Sequence, residues 1–205
     1  MKIIAISQRV HKINEYSELR DELDNRLFEF TNKLGFLPVP IPNFKKKNNA
    51  DIKTLLTWLN SIKPSGIILS GGEDIGKFKH RDQIEFKLLK WSVKNNVPII
   101  GICRGMQIIG HWAKVKTIKI KNHVGVRHII ISSINKNYKR KVNSFHNLAL
   151  SKCPKNFKVN FRSLDGVIES IEWRKKKIFG CMWHPEREKK FDKQDISKFK
   201  SFFKK

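Results

Sequence analysis

The chain has 205 residues, of which 40% are hydrophobic, and a formal net charge of +25 at pH 7. This length and apolar content predict one domain over residues 1–205. No stretch approaches the roughly 20 apolar residues that a membrane-spanning helix needs. The apolar run in the N-terminal MKIIAISQRV is too short for a secretory signal. We therefore expect a cytoplasmic protein with no membrane partner.

The positive charge suggests nucleic-acid binding at first sight. The lysines are spread along the whole chain, however, and no zinc-finger, RNA-binding or helix-turn-helix signature is present. We do not expect nucleic acid as the partner. Compositional drift toward lysine would produce the same charge, and a positive potential would also help to capture a small phosphorylated substrate.

The cysteines are odd in number and lack C-x-x-C spacing: Cys103, Cys153 and Cys181. This pattern argues against a disulfide framework and against a zinc site, and it fits a reducing compartment. We expect neither a metal nor a cofactor.

Strand and helix patterns alternate through the first half of the chain. MKIIAIS predicts a buried strand, and residues 15–34 predict a helix whose apolar positions are Leu19, Leu23, Leu27, Phe30 and Leu34. FLPVPIP predicts a proline-limited strand near a sheet edge. The patterns that follow predict helix, strand, helix, strand and helix in DIKTLLTWLNSIK, GIILSGG, residues 82–95, VPIIGIC and RGMQIIGHWAK.

Repeated βα units imply a parallel sheet covered on both faces. From Val115 to Met182, short strand patterns in VKTIKIK, VRHIIIS, FKVNFRS and VIESIEW predict a small β extension. The final FDKQDISKFKSFFKK predicts an amphipathic helix that packs on the core. The predicted fold class is α/β, with a doubly wound, mostly parallel sheet.

A strand runs directly into a helix at VPIIGICRGMQ, with Cys103 at the junction between Gly101 and Gly105. A nucleophile at such a turn is held in a strained conformation above the sheet edge, and flanking glycines let neighbouring backbone approach. The helix N-terminus favours thiolate over thiol. The backbone N–H of Arg104 would point to the position where an oxyanion forms.

A histidine and a carboxylate follow a later predicted strand in CMWHPERE. His184 and Glu186 are two apart, so in extended chain both side chains face the same way, and Pro185 favours that conformation. A Cys–His–acid relay needs this pairing, since the base takes the thiol proton and the carboxylate orients the base. The glycine turn SGG offers the Gly72 N–H as a second oxyanion donor.

Four segments together resemble the class I glutamine amidotransferase family: LSGGED, GICRGMQ, VNSFHNLA and CMWHPERE. They occur in the family's order and at its spacing, from about residue 65 to 188. The resemblance implies a flavodoxin-like core, a nucleophile at Cys103, a general base at His184 and a third triad member at Glu186. It implies oxyanion-hole positions at Gly72 and Arg104. Its implied substrate contacts are Gly71, Glu73, Gln107, His146, Asn147 and Leu148.

Within this family, arginine after the cysteine is more similar to free-standing γ-glutamyl hydrolases than to ammonia-supplying glutaminases. The resemblance thus implies hydrolysis of the γ-glutamyl amide bond of a small-molecule substrate, through a thioester on the cysteine. A looser likeness, to the hydrolases of capsular phosphoramidate synthesis, implies a nucleotide-linked substrate. One alternative is a glutaminase subunit that passes ammonia to a partner synthase. A non-enzymatic alternative is an inactive family member that acts as a binding protein. For His11, His80, His111, His123 and His128 the sequence indicates no site.

Overall fold

The computed structural model describes residues 1–47 and 49–204. The strands are β1 (Ile3–Ser7), β2 (Arg9–Ile13), β3 (Glu18–Glu22), β4 (Leu37–Ile41), β5 (Lys45–Lys46), β6 (Asn49–Ala50), β7 (Gly66–Leu69), β8 (Ile99–Ile102), β9 (Thr117–Lys119), β10 (Val124–Ser132), β11 (Lys139–Phe145), β12 (Leu148–Leu150), β13 (Lys158–Ser163), β14 (Ile168–Trp173) and β15 (Ile178–Cys181). The helices are α1 (Asn25–Lys33), α2 (Ile52–Ile62), α3 (Lys79–Asn95), α4 (Arg104–Trp112) and α5 (Lys193–Lys204), with 3₁₀ turns at Arg174–Lys176 and Pro185–Arg187.

Within the described residues, nine strands form one sheet in the order β11-β10-β13-β14-β15-β8-β7-β1-β4. The pairs from β15 to β4 are parallel, and the pairs from β11 to β15 are antiparallel. The predicted α/β class is confirmed, and the β extension continues the same sheet through β15. β4 lies at the sheet edge, as its prolines predict.

Alternate residues of the parallel strands enter two cores on opposite faces of the sheet. On β7, Ile67 and Leu69 join one core with apolar residues of α2, α3 and α4, while Ile68 joins the other with residues of α1 and α5. The predicted docking of the C-terminal helix is confirmed, because Phe199 is fully buried. Fully buried parallel strands need apolar residues on both faces, which explains the unbroken apolar runs in the sequence.

The prediction of one helix over residues 15–34 is wrong. Residues 9–22 form an antiparallel hairpin of β2 and β3, with Arg9 paired to Glu22 and Ile13 paired to Glu18. The helix α1 starts later, where the Asp24 side chain accepts a hydrogen bond from the Arg26 backbone N–H at 2.9 Å. The periodic leucines thus belong partly to a strand, since Leu19 lies in β3.

No helix in the described part of the chain is long and apolar enough to cross a membrane.

Candidate active site

The cysteine turn has the strained geometry that the sequence predicts. Cys103 lies between β8 and α4 with φ 52° and ψ −107°, a region that few residues other than glycine adopt. A Cβ added to Gly101 would lie 2.4 Å from the Gly105 carbonyl, and one added to Gly105 would lie 2.1 Å from the Leu69 carbonyl oxygen. The glycines therefore let α4 approach β7 and β8 closely.

His184 and Glu186 contact each other directly. His184 is extended, with φ −108° and ψ 91°, as the following proline favours. Glu186 lies in the 3₁₀ turn Pro185–Arg187 and not in extended chain. The prediction that extended backbone makes the two side chains face the same way is therefore wrong. The turn still brings Glu186 Oε1 to 2.6 Å from His184 Nδ1.

The charge state of His184 follows from its neighbours. Burial lowers its pKa, but the Glu186 carboxylate and a hydrogen bond with Cys103 raise the pKa more, to about 9. Because Nδ1 faces Glu186, Nε2 is the ring nitrogen left for the cysteine sulfur. At neutral pH the site therefore holds an imidazolium between a carboxylate and a sulfur.

The glycine loop after β7 packs against this histidine. A Cβ added to Gly71 would lie 2.9 Å from His184 Cε1, and one added to Gly72, which has φ 140°, would lie 2.5 Å from Arg81 Nη1. Arg81 is fully buried and donates hydrogen bonds to the backbone carbonyls of Ser70 at 3.1 Å and Gly71 at 3.0 Å. Its Nη1 also lies 2.8 Å from Glu73 Oε2. Arg81 thus fixes the backbone of the glycine loop through these contacts.

A buried ionic network lies below the loop and the cysteine turn, and no sequence pattern indicated it. The Arg104 guanidinium pairs with Glu85 and Asp82, so it is the backbone of Arg104 that borders the turn. Glu85 also contacts Arg81 Nε at 3.2 Å and accepts a hydrogen bond from Ser7 Oγ at 2.8 Å. Burial raises the pKa of Glu85, but the two guanidinium groups lower the pKa more and hold it below its usual value. The spacing of Arg81 and Glu85, four apart on α3, is compatible with one pair of this network but does not by itself indicate the network.

A cavity of about 640 Å³ opens above the cysteine turn. Its lining includes Cys103, His184, Gly72 and Glu73. The rest of the described lining is rich in basic and polar side chains, from the β2–β3 hairpin and the loops opposite it: Arg9, Val10, His11, Lys12, Asn14, Lys77, Phe78, Phe145 and Arg187. The hairpin that the sequence patterns missed therefore forms one wall of the candidate site.

Among the predicted substrate contacts, Glu73 lines the cavity and Gly71 packs against His184, whereas the remaining four do not line the cavity. Gln107, His146, Asn147 and Leu148 are absent from the cavity lining in the described ranges. The Gln107 side chain donates a hydrogen bond to the Leu148 carbonyl at 3.2 Å, and His146 faces Glu169. The structure thus brings the three triad candidates and the glycine loop together, and it does not bring Gln107, His146, Asn147 and Leu148 to the cavity lining.

The chain belongs to the class-I glutamine amidotransferases, because the GATase family model, Glutamine amidotransferase class-I, matches residues 21–205. It is accordingly an amide-hydrolysing enzyme of this family.

The chain is similar in sequence to individual members of this family and in fold to a solved structure. A γ-glutamyl-CDP-amidate hydrolase of Campylobacter jejuni subsp. jejuni serotype O:2 is 31% identical over 194 residues, which cover 90% of each chain. Anthranilate synthase component 2 of Cyanophora paradoxa is 28% identical over 181 residues, 82% of this chain and 88% of the relative. A glutamine amidotransferase from Thermotoga maritima shares the fold, with a TM-score of 0.64 at 16% identity, over 99% of this chain and 84% of the other.

Proposed function

We propose that the chain hydrolyses a γ-glutamyl amide through a thioester on Cys103, with His184 as the acid–base group and Glu186 as its orienting carboxylate. The observation that carries the proposal is the His184–Glu186 contact of 2.6 Å next to a cysteine in a strained strand-to-helix turn. A charged imidazole beside the sulfur favours the nucleophilic thiolate.

Two displacement steps follow from this arrangement. The Cys103 sulfur attacks the amide carbon, a C–S bond forms, and the C–N bond breaks while His184 gives its proton to the departing nitrogen. His184 then takes a proton from water, the resulting hydroxide breaks the C–S bond, and glutamate leaves. The N–H groups of Gly72 and Arg104 would stabilise the oxyanion in both steps, since preformed donors cost no reorganisation.

We further propose that the leaving group is linked to a nucleotide, as in γ-glutamyl-CDP-amidate, which would release cytidine diphosphoramidate for capsular polysaccharide modification. Arg9, Lys12, Lys77 and Arg187 line the cavity, and this basic lining supports a diphosphate-bearing substrate. The Campylobacter relative, named for hydrolysis of γ-glutamyl-CDP-amidate, supports the same substrate.

The test compares glutamate release from γ-glutamyl-CDP-amidate, glutamine and γ-glutamyl amines that lack a nucleotide. We expect kcat/KM to be highest for the nucleotide substrate. Lys12→Ala and Arg187→Ala should lower this value about 10-fold each, with little effect on γ-glutamyl amines, while the exposed Lys90→Ala serves as control. Equal kcat/KM values for all substrates would contradict a nucleotide leaving group, and no hydrolysis of any γ-glutamyl compound would contradict the whole proposal.

A glutaminase subunit is the second candidate function, and the similarity to anthranilate synthase component 2 favours it. It predicts weak glutamine hydrolysis by the isolated chain and a sharp increase when a synthase partner is added. Under the hydrolase proposal, γ-glutamyl-CDP-amidate turns over at full rate without any partner.

A further inference from the structure

A second cluster of titratable side chains lies in the antiparallel half of the sheet and has no part in the proposed chemistry. His123 precedes β10, His128 lies on β10, His146 follows β11, and Glu169 lies on β14. All converge on one carboxylate oxygen. Glu169 Oε1 lies 3.4 Å from His123 Nδ1, 3.5 Å from His128 Nε2 and 3.4 Å from His146 Nε2.

The cluster is buried, apart from His128, whose side chain is 17% exposed, and its facing atoms are unsatisfied. Glu169 is fully buried, and His123 and His146 are each 3% exposed. Over residues 1–47 and 49–204, the facing atoms of this cluster are among the buried polar atoms that have no hydrogen-bond partner: His123 Nδ1, His128 Nε2, His146 Nε2 and both Glu169 oxygens. Buried polar atoms are normally paired, so this concentration of unpaired atoms at one point indicates that a ligand belongs there.

The outer nitrogens of two rings each face a hydrogen-bond acceptor. His123 Nε2 lies 2.9 Å from Asp165 Oδ2, and His146 Nδ1 lies 3.1 Å from the Leu148 carbonyl oxygen. Both partners accept hydrogen bonds, so a ring that binds a metal through its inner nitrogen would keep its N–H on the outside and turn a lone pair toward Glu169. Lone pairs and a carboxylate repel one another unless a cation lies between them.

The spacing suits a tetrahedral metal ion. Zinc bonds to imidazole nitrogen and carboxylate oxygen are about 2.0–2.1 Å long, so two ligand atoms of a tetrahedral site are about 3.3–3.4 Å apart. The nitrogen–oxygen distances of the cluster are 3.4, 3.5 and 3.4 Å. Asp165 and the Leu148 carbonyl are the outer partners that metal-bound histidines usually have.

We propose that His123, His146 and Glu169 bind a divalent zinc ion. The ligand atoms of His123, His146 and Glu169 all lie within 4.8 Å of one another. Three protein ligands leave the fourth position of the tetrahedron to water. The ion would join the residue before β10 and strand β14 to the segment after β11, and that segment holds Leu148 against the Gln107 side chain of α4. The site rests on residues other than Cys103, His184 and Glu186, so it stands independently of the proposed reaction.

The experiment measures zinc bound to the untagged full-length chain by mass spectrometry of the metal, after removal of metal with a chelator and reconstitution with zinc chloride. We expect about one zinc per chain in the wild type. His146→Ala and Glu169→Gln should lower the zinc affinity at least 100-fold. Asp165→Asn, at a side chain that is 57% exposed, should lower it 10- to 100-fold without a folding defect. His111→Ala is the matched control and should bind zinc like the wild type.

X-ray absorption of the zinc-loaded wild type gives a second result that needs no variant. A shell of nitrogen and oxygen neighbours with imidazole scattering supports the site. A sulfur neighbour overturns it, because the ion would then lie on a cysteine. Less than about 0.1 zinc per reconstituted chain, or Asp165→Asn and Glu169→Gln chains that bind zinc like the wild type, would also overturn the proposal.

Discussion

Asn143 makes two hydrogen bonds with the backbone of His184. Its Nδ2 donates to the His184 carbonyl oxygen at 2.8 Å, and its Oδ1 accepts from the His184 N–H at 2.8 Å. Both residues are buried, so neither bond competes with water. Since the Nδ1 of the ring contacts Glu186, His184 is held on the backbone side by Asn143 and on the side-chain side by Glu186.

Replacing Asn143 by alanine should lower kcat about 10- to 100-fold and leave KM within about 3-fold, because a shift of the imidazole by 1 Å can cost about 100-fold in rate. Asn143 acts through His184 and touches no reacting atom. Steady-state kinetics on γ-glutamyl amides give the two parameters. Asn95→Ala removes a side-chain amide that donates a hydrogen bond to the Trp91 carbonyl on α3. This control should leave both kcat and KM unchanged. A matched fall in kcat for Asn95→Ala would mean that the Asn143 effect is not specific.

The sheet and the cysteine turn could be predicted from sequence because their signals are local. Buried parallel strands need continuous apolar runs, and the turn at Cys103 needs glycines at fixed offsets, so a few adjacent residues carry each signal. The β2–β3 hairpin could not be recognised in this way. Leu19, Leu23 and Leu27 have helical spacing, yet pairing of Glu18–Glu22 with Arg9–Ile13 decides the structure, and that pairing depends on tertiary context.

The buried networks were missing from the prediction for a related reason. Arg104 and Glu85 are separated by 19 positions, and His123 and Glu169 by 46, so no spacing rule connects them. The pairing of β10 with β11 brings His123 and His146 together, and the His146 N–H donates a hydrogen bond to the His123 carbonyl at 3.1 Å. A contact made by sheet register is visible only in the folded chain.

Iodoacetamide should alkylate Cys103 well before the other two cysteines at pH 6. His184 supplies a positive charge at Cys103, whereas burial raises the pKa of the Cys153 thiol and raises that of Cys181 well above its usual value. Peptide mass spectrometry after a short reaction identifies the labelled residue. Labelling of Cys153 at the same rate would show that Cys103 is not activated.

Cys103→Ser should lower kcat at least 1,000-fold and leave substrate binding within a few-fold, because it removes the nucleophile and keeps the cavity. Calorimetric titration with the substrate measures binding in the inactive variant. Cys153→Ser is the matched control, and we expect wild-type turnover from it. Turnover by Cys103→Ser near the wild-type rate would exclude a thioester on this residue.

The pH dependence of kcat/KM should show a fall at alkaline pH. The first displacement needs protonated His184 as the acid, and the pKa of about 9 puts the loss of that proton near pH 9. Glu186 raises this pKa, so Glu186→Gln should move the alkaline limb to lower pH and also lower the maximum rate. Glu29→Gln, which removes an exposed carboxylate from α1, should leave the profile unchanged. An alkaline limb at the same pH in the wild type and Glu186→Gln would contradict the role of Glu186.

Glu85→Gln should lower the free energy of unfolding by roughly 3–5 kcal/mol, because it leaves the buried guanidinium groups of Arg81 and Arg104 without their shared carboxylate. Glu85 has a lowered pKa in the folded chain. Its stabilisation is therefore present above its ordinary pKa of 4.5 and is lost as the pH falls through its folded value. Urea unfolding at pH 7 measures the difference. Glu29→Gln breaks the exposed pair with Arg26 and should change the free energy by less than about 1 kcal/mol. If the free energy of unfolding fell by the same small amount in both variants, Glu85 would not hold the two arginines next to the glycine loop.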